Sequence, residues 1–298
     1  ETNLQGYWKL NNDYTDETSN GNDLTATGSP VFSTDLPFEN PAGVSDSTRL
    51  TTNLQGYWTL DEESGTRVDS TANGNDLTDN NTVGFTTGKQ SNAASFQNNA
   101  NENLSITDAS QTGLDITGDF SVSSWCRFPT TPSAEDHIIA SKYTFGTEEG
   151  YAVMYGHNGV AARLRVYLST DGSTVTTLEH VVTLTTSTWY HLVYSYDASA
   201  GEMSFYIDGI LAGTDTGGPT SIYDNASEFR LGIYSGTIGD FYGDMDETAI
   251  WNKTLSFGEV QDLYASGDAI PYSSSTDYPL TAAVGSFTLT GIASILNI

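Results

Sequence analysis

The 298-residue sequence has a single cysteine, Cys126, and only 10 lysines and arginines against 38 aspartates and glutamates. One thiol excludes an intrachain disulfide, a cysteine-based zinc site and a CxxC redox pair. Cys126 lies inside the alternating run FSVSSWCRF (120–128), which reads as a strand with the thiol buried. The formal net charge of −28 describes a surface that repels nucleic acid and anionic membranes, which removes nucleic acid as a partner. No stretch approaches the ~20 apolar residues needed to span a bilayer, so no membrane insertion is expected. No signal-peptide pattern opens the chain at Glu1, and a processed N-terminus is one expectation from that. The four histidines, His137, His157, His180 and His191, form no HxxxH or HExxH pattern and read as structural. No ExDxE-like run of paired carboxylates appears, so hydrolase chemistry has no positive signal.

What is present is apolar and aromatic material in short pieces. The chain is 37% hydrophobic and 11% aromatic, with 17 tyrosines, 12 phenylalanines and 29 glycines, a balance that favours strands and turns. Period-two runs follow one another from residue 93 onward, among them DFSVSSWCRF (119–128), YAVMYG (151–156), LRVYLST (164–170), VVTLTT (181–186) and WYHLVYSYD (189–197). In the last of these, Tyr190, Leu192, Tyr194 and Tyr196 fall on one face, as an antiparallel sheet packed on one side requires. Asp208-Gly209 in FYIDGIL (205–211) is the dipeptide of a type I′ hairpin. Only SFGEVQDLYASG (256–267) reads as a helix, with a serine N-cap and a glutamate three residues on. Trp58, Trp125, Trp189 and Trp251 are expected in the packing between layers.

An internal repeat divides the chain. NLQGYWKL (3–10) recurs as NLQGYWTL (53–60), and NGNDLT (20–25) recurs at 73–78. The first copy runs into a Pro- and Gly-punctuated segment, whereas the second leads into the long series of strands. The expected organisation is therefore an N-terminal extension over 1–52, a sandwich over 53–272 and a short uncharged, β-prone tail over 273–298.

Five blocks in order carry a resemblance to a known family: 53–78, GKQSNAASF (88–96), LDITGDFSVSSWCRF (114–128), 186–213 and GDMDETAIWNKTLSFGEVQDLYASG (243–267). They resemble the laminin G-like, pentraxin-type group of concanavalin A-like lectin and glucanase domains. The resemblance implies an all-β, two-sheet antiparallel jelly-roll sandwich used for glycan or protein binding, often with bound calcium. The loop DSTANGND (69–76) offers hard oxygen donors around a tight turn, the chemistry calcium prefers. The family places such a loop near a late acidic strand, here GDMDET (243–248). The expected calcium ligands are thus Asp69, Asn75 and Asp246, with Asn73, Asp76 and Glu247 as further donors. The alternative is that the Asn and Gly residues only make a turn. Sugar-stacking aromatics are sought among Tyr143, Phe145, Tyr155, Tyr223, Tyr234, Phe241 and Tyr242.

The tail YPLTAAVGSFTLTGIASILNI (278–298) resembles C-terminal strands of phage structural proteins. The expectation that follows is a non-enzymatic structural and adhesion protein at a virion surface: a decoration, head-fibre or tail-associated component. Its partners would be cell-surface glycans, together with its own copies or other virion proteins through residues 1–50 and 273–298. The alternatives are a secreted or cell-surface bacterial adhesin or filament subunit, and a glycoside hydrolase.

Overall fold

A computed structural model of the chain describes residues 47–97, 101–132, 135–157, 159–235 and 239–264. The N-terminal repeat and the C-terminal tail lie outside the described residues. Two antiparallel sheets stack face to face. The first orders β13 (Ile210–Thr216), β12 (Glu202–Ile207), β11 (Trp189–Asp197), β6 (Phe120–Arg127), β15 (Gly243–Trp251), β4 (Asn92–Phe96) and β3 (Gly84–Thr87). β1 (Leu54–Trp58) pairs with β15 as an eighth strand. The second orders β10 (Val175–Val181), β9 (Ala162–Gly172), β8 (Glu148–His157), β7 (Asp136–Thr144), β14 (Phe229–Leu231), β5 (Asn103–Ile106) and β2 (Thr78–Asn80).

Alternation explains the layers. Phe120, Val122 and Cys126 of β6, Leu192, Tyr194 and Tyr196 of β11, and Tyr151, Val153 and Tyr155 of β8 meet in one core between the sheets. Trp58 is fully buried there and stacks on Phe229 at 5.4 Å. Cys126 sits in this core, and burial pushes its thiol up to about 12, which removes it as a nucleophile. The β12–β13 hairpin closes through Asp208 (φ 51°) and Gly209 (φ 74°), the pair of positive φ values that a type I′ turn demands.

The outward face of the first sheet is closed by a helix, α2 (Phe257–Tyr264). Ser256 caps it: the Glu259 amide donates to Ser256 Oγ (3.3 Å) and the Ser256 amide donates to Glu259 Oε2 (2.8 Å). Its Val260 forms a second apolar cluster with Tyr57, Val193 and Trp251 of the sheet. A short helix before β1, α1 (Ser47–Thr51), is tied to α2 by Arg49–Asp262 at 2.6 Å.

Two expectations about elements change. The run 181–186 does not make a strand: β10 ends at Val181, and Val182 is held instead by donating to the Ala162 carbonyl at 3.1 Å. Trp189 is only half-buried, with the Arg127 guanidinium 4.8 Å above its ring. Trp58, Trp125 and Trp251 are buried as expected.

Candidate functional site

The turn 69–76 is built around one carboxylate. Asp69 Oδ1 accepts from the amides of Tyr57 (3.1 Å) and Thr71 (2.9 Å); Oδ2 accepts from Thr71 Oγ1 (2.8 Å) and the Asn75 amide (2.8 Å). Asp76 Oδ1 accepts from the Asp69 amide at 2.9 Å. Asn73 Nδ2 donates to the Gln55 carbonyl (2.9 Å), and Asn75 Nδ2 donates to the carbonyls of Gln55 (2.8 Å) and Thr112 (2.9 Å). Asn75 Oδ1 accepts from the Thr112 amide at 2.8 Å. Four donors saturate Asp69, so its oxygens stitch the turn to β1.

The late acidic strand faces other partners. Asp246 Oδ2 accepts from the amides of Lys89 (2.7 Å) and Gln90 (2.9 Å), while Glu247 Oε2 accepts from the Tyr57 hydroxyl. Glu247 sits in a bulge of β15 at φ 50°. Burial pushes the Asp246 carboxyl up to about 7 and the Glu247 carboxyl up to about 8. Among the described residues, no three His, Cys, Asp or Glu side chains gather in a way that could hold a metal ion. The expected ligands therefore fall into two groups, Asp69 with Asn73, Asn75 and Asp76, and Asp246 with Glu247, with no hydrogen bond between the groups. The loop group does not fit calcium, because its carboxylate is spent on amide and hydroxyl donors. One buried oxygen does remain without a hydrogen bond, Asp246 Oδ1.

The outward face of the second sheet carries a different arrangement. β7, β8 and β9 turn Ile138, Ala152, Met154 and Tyr167 away from the core, where they meet Tyr143 and Tyr234. Tyr143 and Tyr234 pack edge to face at 5.3 Å, and Tyr143 lies 6.1 Å from Tyr167. Charged groups border this aromatic patch. Arg165 Nη1 donates to Asp136 Oδ1 at 2.9 Å, the Tyr167 hydroxyl donates to Asp136 Oδ2 at 3.3 Å, and the guanidinium lies 4.9 Å over the Tyr167 ring. Glu179 pairs with Arg163 and approaches Arg165 Nε at 3.6 Å. Burial pushes the phenols of Tyr143 and Tyr167 up, so both stay neutral hydroxyls. The guanidinium lying on the Tyr167 ring, the carboxylates and the neutral hydroxyl bring a planar stacked surface together with hydrogen-bond donors and acceptors.

Of the aromatics sought from sequence, Tyr155 and Phe241 belong to the core, and Tyr143 and Tyr234 belong to this outward patch. Tyr223 and Tyr242 are half-buried, and Phe145 is 62% exposed. Asp136, Arg163, Arg165, Tyr167 and Glu179 were not singled out. The signal was present in RLRVYLS (163–169), whose Arg165 and Tyr167 alternate with Leu164, Val166 and Leu168. Two histidines are buried. His191 Nε2 lies 2.8 Å from Ser123 Oγ, but both residues are buried, with Tyr264 6.1 Å from the imidazole, which closes that pair to any substrate.

No curated protein matches the chain in sequence. Its fold is similar to the binding domain of paraclostridial mosquitocidal protein 1 (TM-score 0.57, 15% identity, 72% of this chain and 52% of that one). It is similar to a botulinum neurotoxin type C structure, described as interacting with two ganglioside molecules (TM-score 0.57, 13% identity, 74% and 52%). It is also similar to domain 4 of AbnA, a GH43 extracellular arabinanase of Geobacillus stearothermophilus, in complex with arabinotriose (TM-score 0.53, 20% identity, 71% and 98%). The chain thus spans about half the length of the toxin structures it matches. A family model described as the concanavalin A-like lectin/glucanases superfamily, of laminin G type, matches residues 97–261, more than half of the 298. With that match, and with the two-sheet sandwich it describes, the chain belongs to the concanavalin A-like lectin/glucanase superfamily.

Proposed function

We propose that the protein is a non-enzymatic glycan-binding and adhesion protein, and that the glycan lies across Tyr167, Arg165 and Asp136 on the outward face of the second sheet. The observation that carries the reading is the stacked Arg165–Tyr167 pair with Asp136 bonded to both. It offers a guanidinium plane stacked on a ring, with donors and acceptors side by side, as a polyhydroxylated ligand requires. The arabinotriose-bound domain of similar fold supports the ligand class. The perturbed carboxyls, Asp246 and Glu247, are buried, out of reach of a glycosidic bond.

The setting is a virion or cell surface. The acidic charge, the repeated opening segment and the uncharged tail support a virion component over a freely secreted adhesin. Calcium enters this reading in a narrower form than the sequence suggested, at Asp246, whose Oδ1 is buried without a hydrogen bond. A hard cation there would supply charge balance and anchor the strand, with no part in chemistry.

The test is a glycan array, including arabino-oligosaccharides, probed with the full chain and with Arg165→Ala and Tyr167→Ala. Binding lost in both variants while each remains cooperatively folded supports the site. No binding by the parent chain, or sugar release on incubation, overturns the reading. Labelling of intact particles with an antibody to the chain tests the virion setting.

A further inference from the structure

The strand and turn formed by residues 54–77 are a unit bonded largely to itself. The Trp58 indole N–H donates to the Asn75 carbonyl at 2.9 Å, the Tyr57 amide donates to Asp69, and both asparagine amides donate to the Gln55 carbonyl. Arg67 and Leu77 close the turn by exchanging backbone hydrogen bonds at 2.9 and 2.8 Å. Outside the unit, β1 makes its ladder with β15 alone, and it sends Tyr57 to Glu247 and Trp58 to Phe229. From the turn, Asn75 exchanges hydrogen bonds with Thr112, and Leu60 and Leu77, repeated in the first copy as Leu10 and Leu24, enter the core between the sheets.

Every side chain that makes those bonds occurs twice in the chain. Gln5, Tyr7 and Trp8 repeat Gln55, Tyr57 and Trp58. Asp16, Thr18, Asn20, Asn22 and Asp23 repeat Asp69, Thr71, Asn73, Asn75 and Asp76. Gly6 repeats Gly56, where a Cβ would collide with the Trp58 ring. The duplication also has two gaps. The buried Arg67, which donates to the Val83 carbonyl at 3.1 Å, stands opposite Tyr14. Asp79, which accepts from the Val83 amide at 2.9 Å, stands opposite Ala26.

We propose that residues 3–25 are a second occupant of the β1 slot, able to replace 53–78 against β15 either in their own chain or in a second copy of it. The two copies compete for one site, and the missing Arg67 and Asp79 equivalents make the first copy the weaker competitor. Replacement within one chain lengthens the connection to β3, and the entropy of closing a flexible loop grows only slowly with length. Replacement between chains is strand exchange along β15, which leaves no ladder hydrogen bond unmade.

The experiment is a cycle on the full chain with Asp16→Ala, Asp69→Ala and the double variant, read as thermal midpoints. The expected result is no shift for Asp16→Ala, a shift of a few degrees for Asp69→Ala, and a fall of roughly 10 °C for the double variant, well beyond the sum. Equal midpoints for Asp69→Ala and the double variant would overturn the proposal. An Asp69→Ala chain that fails to fold would overturn it too, because a working second occupant rescues that variant. Light scattering of Asp69→Ala then separates the routes: a monomer means replacement within the chain, a dimer means exchange between copies.

Discussion

The two outward faces of the sandwich are finished in different ways. Over the first sheet, α2 sets Val260 against a cluster that includes Val193 and Trp251, and its last described residue, Tyr264, stacks on Trp125 at 5.7 Å. Over the second, Tyr234 packs on Tyr143, which is buried with Ile138, Ala152 and Met154, and Tyr167 and the Arg165–Asp136 pair stand at the border of that patch. A covered face uses its aromatics for stability. The second face buries most of its aromatics too, and only the strip of Tyr167 with its charged neighbours is half-buried. The comparison predicts that substitutions on the first face act on folding, and those on that strip of the second chiefly on binding.

The largest effect is expected at Trp251. Its ring is buried under α2, and its indole N–H donates to the Leu50 carbonyl at 2.7 Å. Trp251→Ala removes a large packed side chain and leaves that buried carbonyl without its donor. A loss of about 3–5 kcal/mol follows from such truncations. Chemical denaturation should show it as a lower midpoint, with glycan binding below the transition unchanged. A weakened glycan affinity in the folded variant would break the division between the faces.

That division was half legible in the sequence. The alternation of Tyr190, Leu192, Tyr194 and Tyr196 identified the inward face of β11, and Ser256 with Glu259 marked the helix start, because both depend on local periodicity and capping. The strand expected over 181–186 failed because Val and Thr favour strands wherever they occur, whereas the sheet ends where its partner strand β9 begins, at Ala162. The acidic turn was found, but its role was not. Whether Asp69 meets a cation or four N–H and O–H donors depends on how β1 folds back on it, and spacing does not carry that. Arg165 and Tyr167 were missed for a related reason: their meaning comes from Asp136 on β7, two strands away in the sheet.

A middle-sized effect is expected from Asp246 and Glu247, at the bulge of β15. Burial raises both carboxyls, to about 7 and about 8, above the ordinary range near 4. The folded chain therefore holds these protons more tightly than the unfolded chain does. Their contribution is fully present below about pH 4 and is lost as pH rises through 7 and 8. Asp246→Asn keeps the acceptor for the Lys89 and Gln90 amides and removes the charge. The variant should lose about 2 kcal/mol less than the parent between pH 5 and pH 9. Added calcium should raise the parent midpoint at pH 9, where the carboxylate is ionised, and leave Asp246→Asn unmoved. Identical pH profiles for variant and parent would remove Asp246 as the titrating group.

A smaller effect on stability than at Trp251, and the largest on binding, belongs to the second face. The Arg165 and Asp136 side chains are only 11% and 14% exposed, so their 2.9 Å pair is largely withdrawn from water and removing one partner leaves the other charge uncompensated. Arg165→Ala should lower the stability by about 1–2 kcal/mol, the order expected when a mostly buried carboxylate loses its charged donor. The same change strips the Tyr167 ring of its cation and Asp136 of its donor, leaving an uncompensated carboxylate where the ligand hydroxyls would sit. Glycan affinity should fall tenfold or more, about 1.4 kcal/mol, and Arg165→Lys should not restore it, because an ammonium cannot lie flat on the ring while donating sideways. Isothermal titration with an oligosaccharide that the parent binds measures both variants. If Arg165→Lys binds as the parent does, a point charge suffices, and the stacked guanidinium is a packing feature of the sheet.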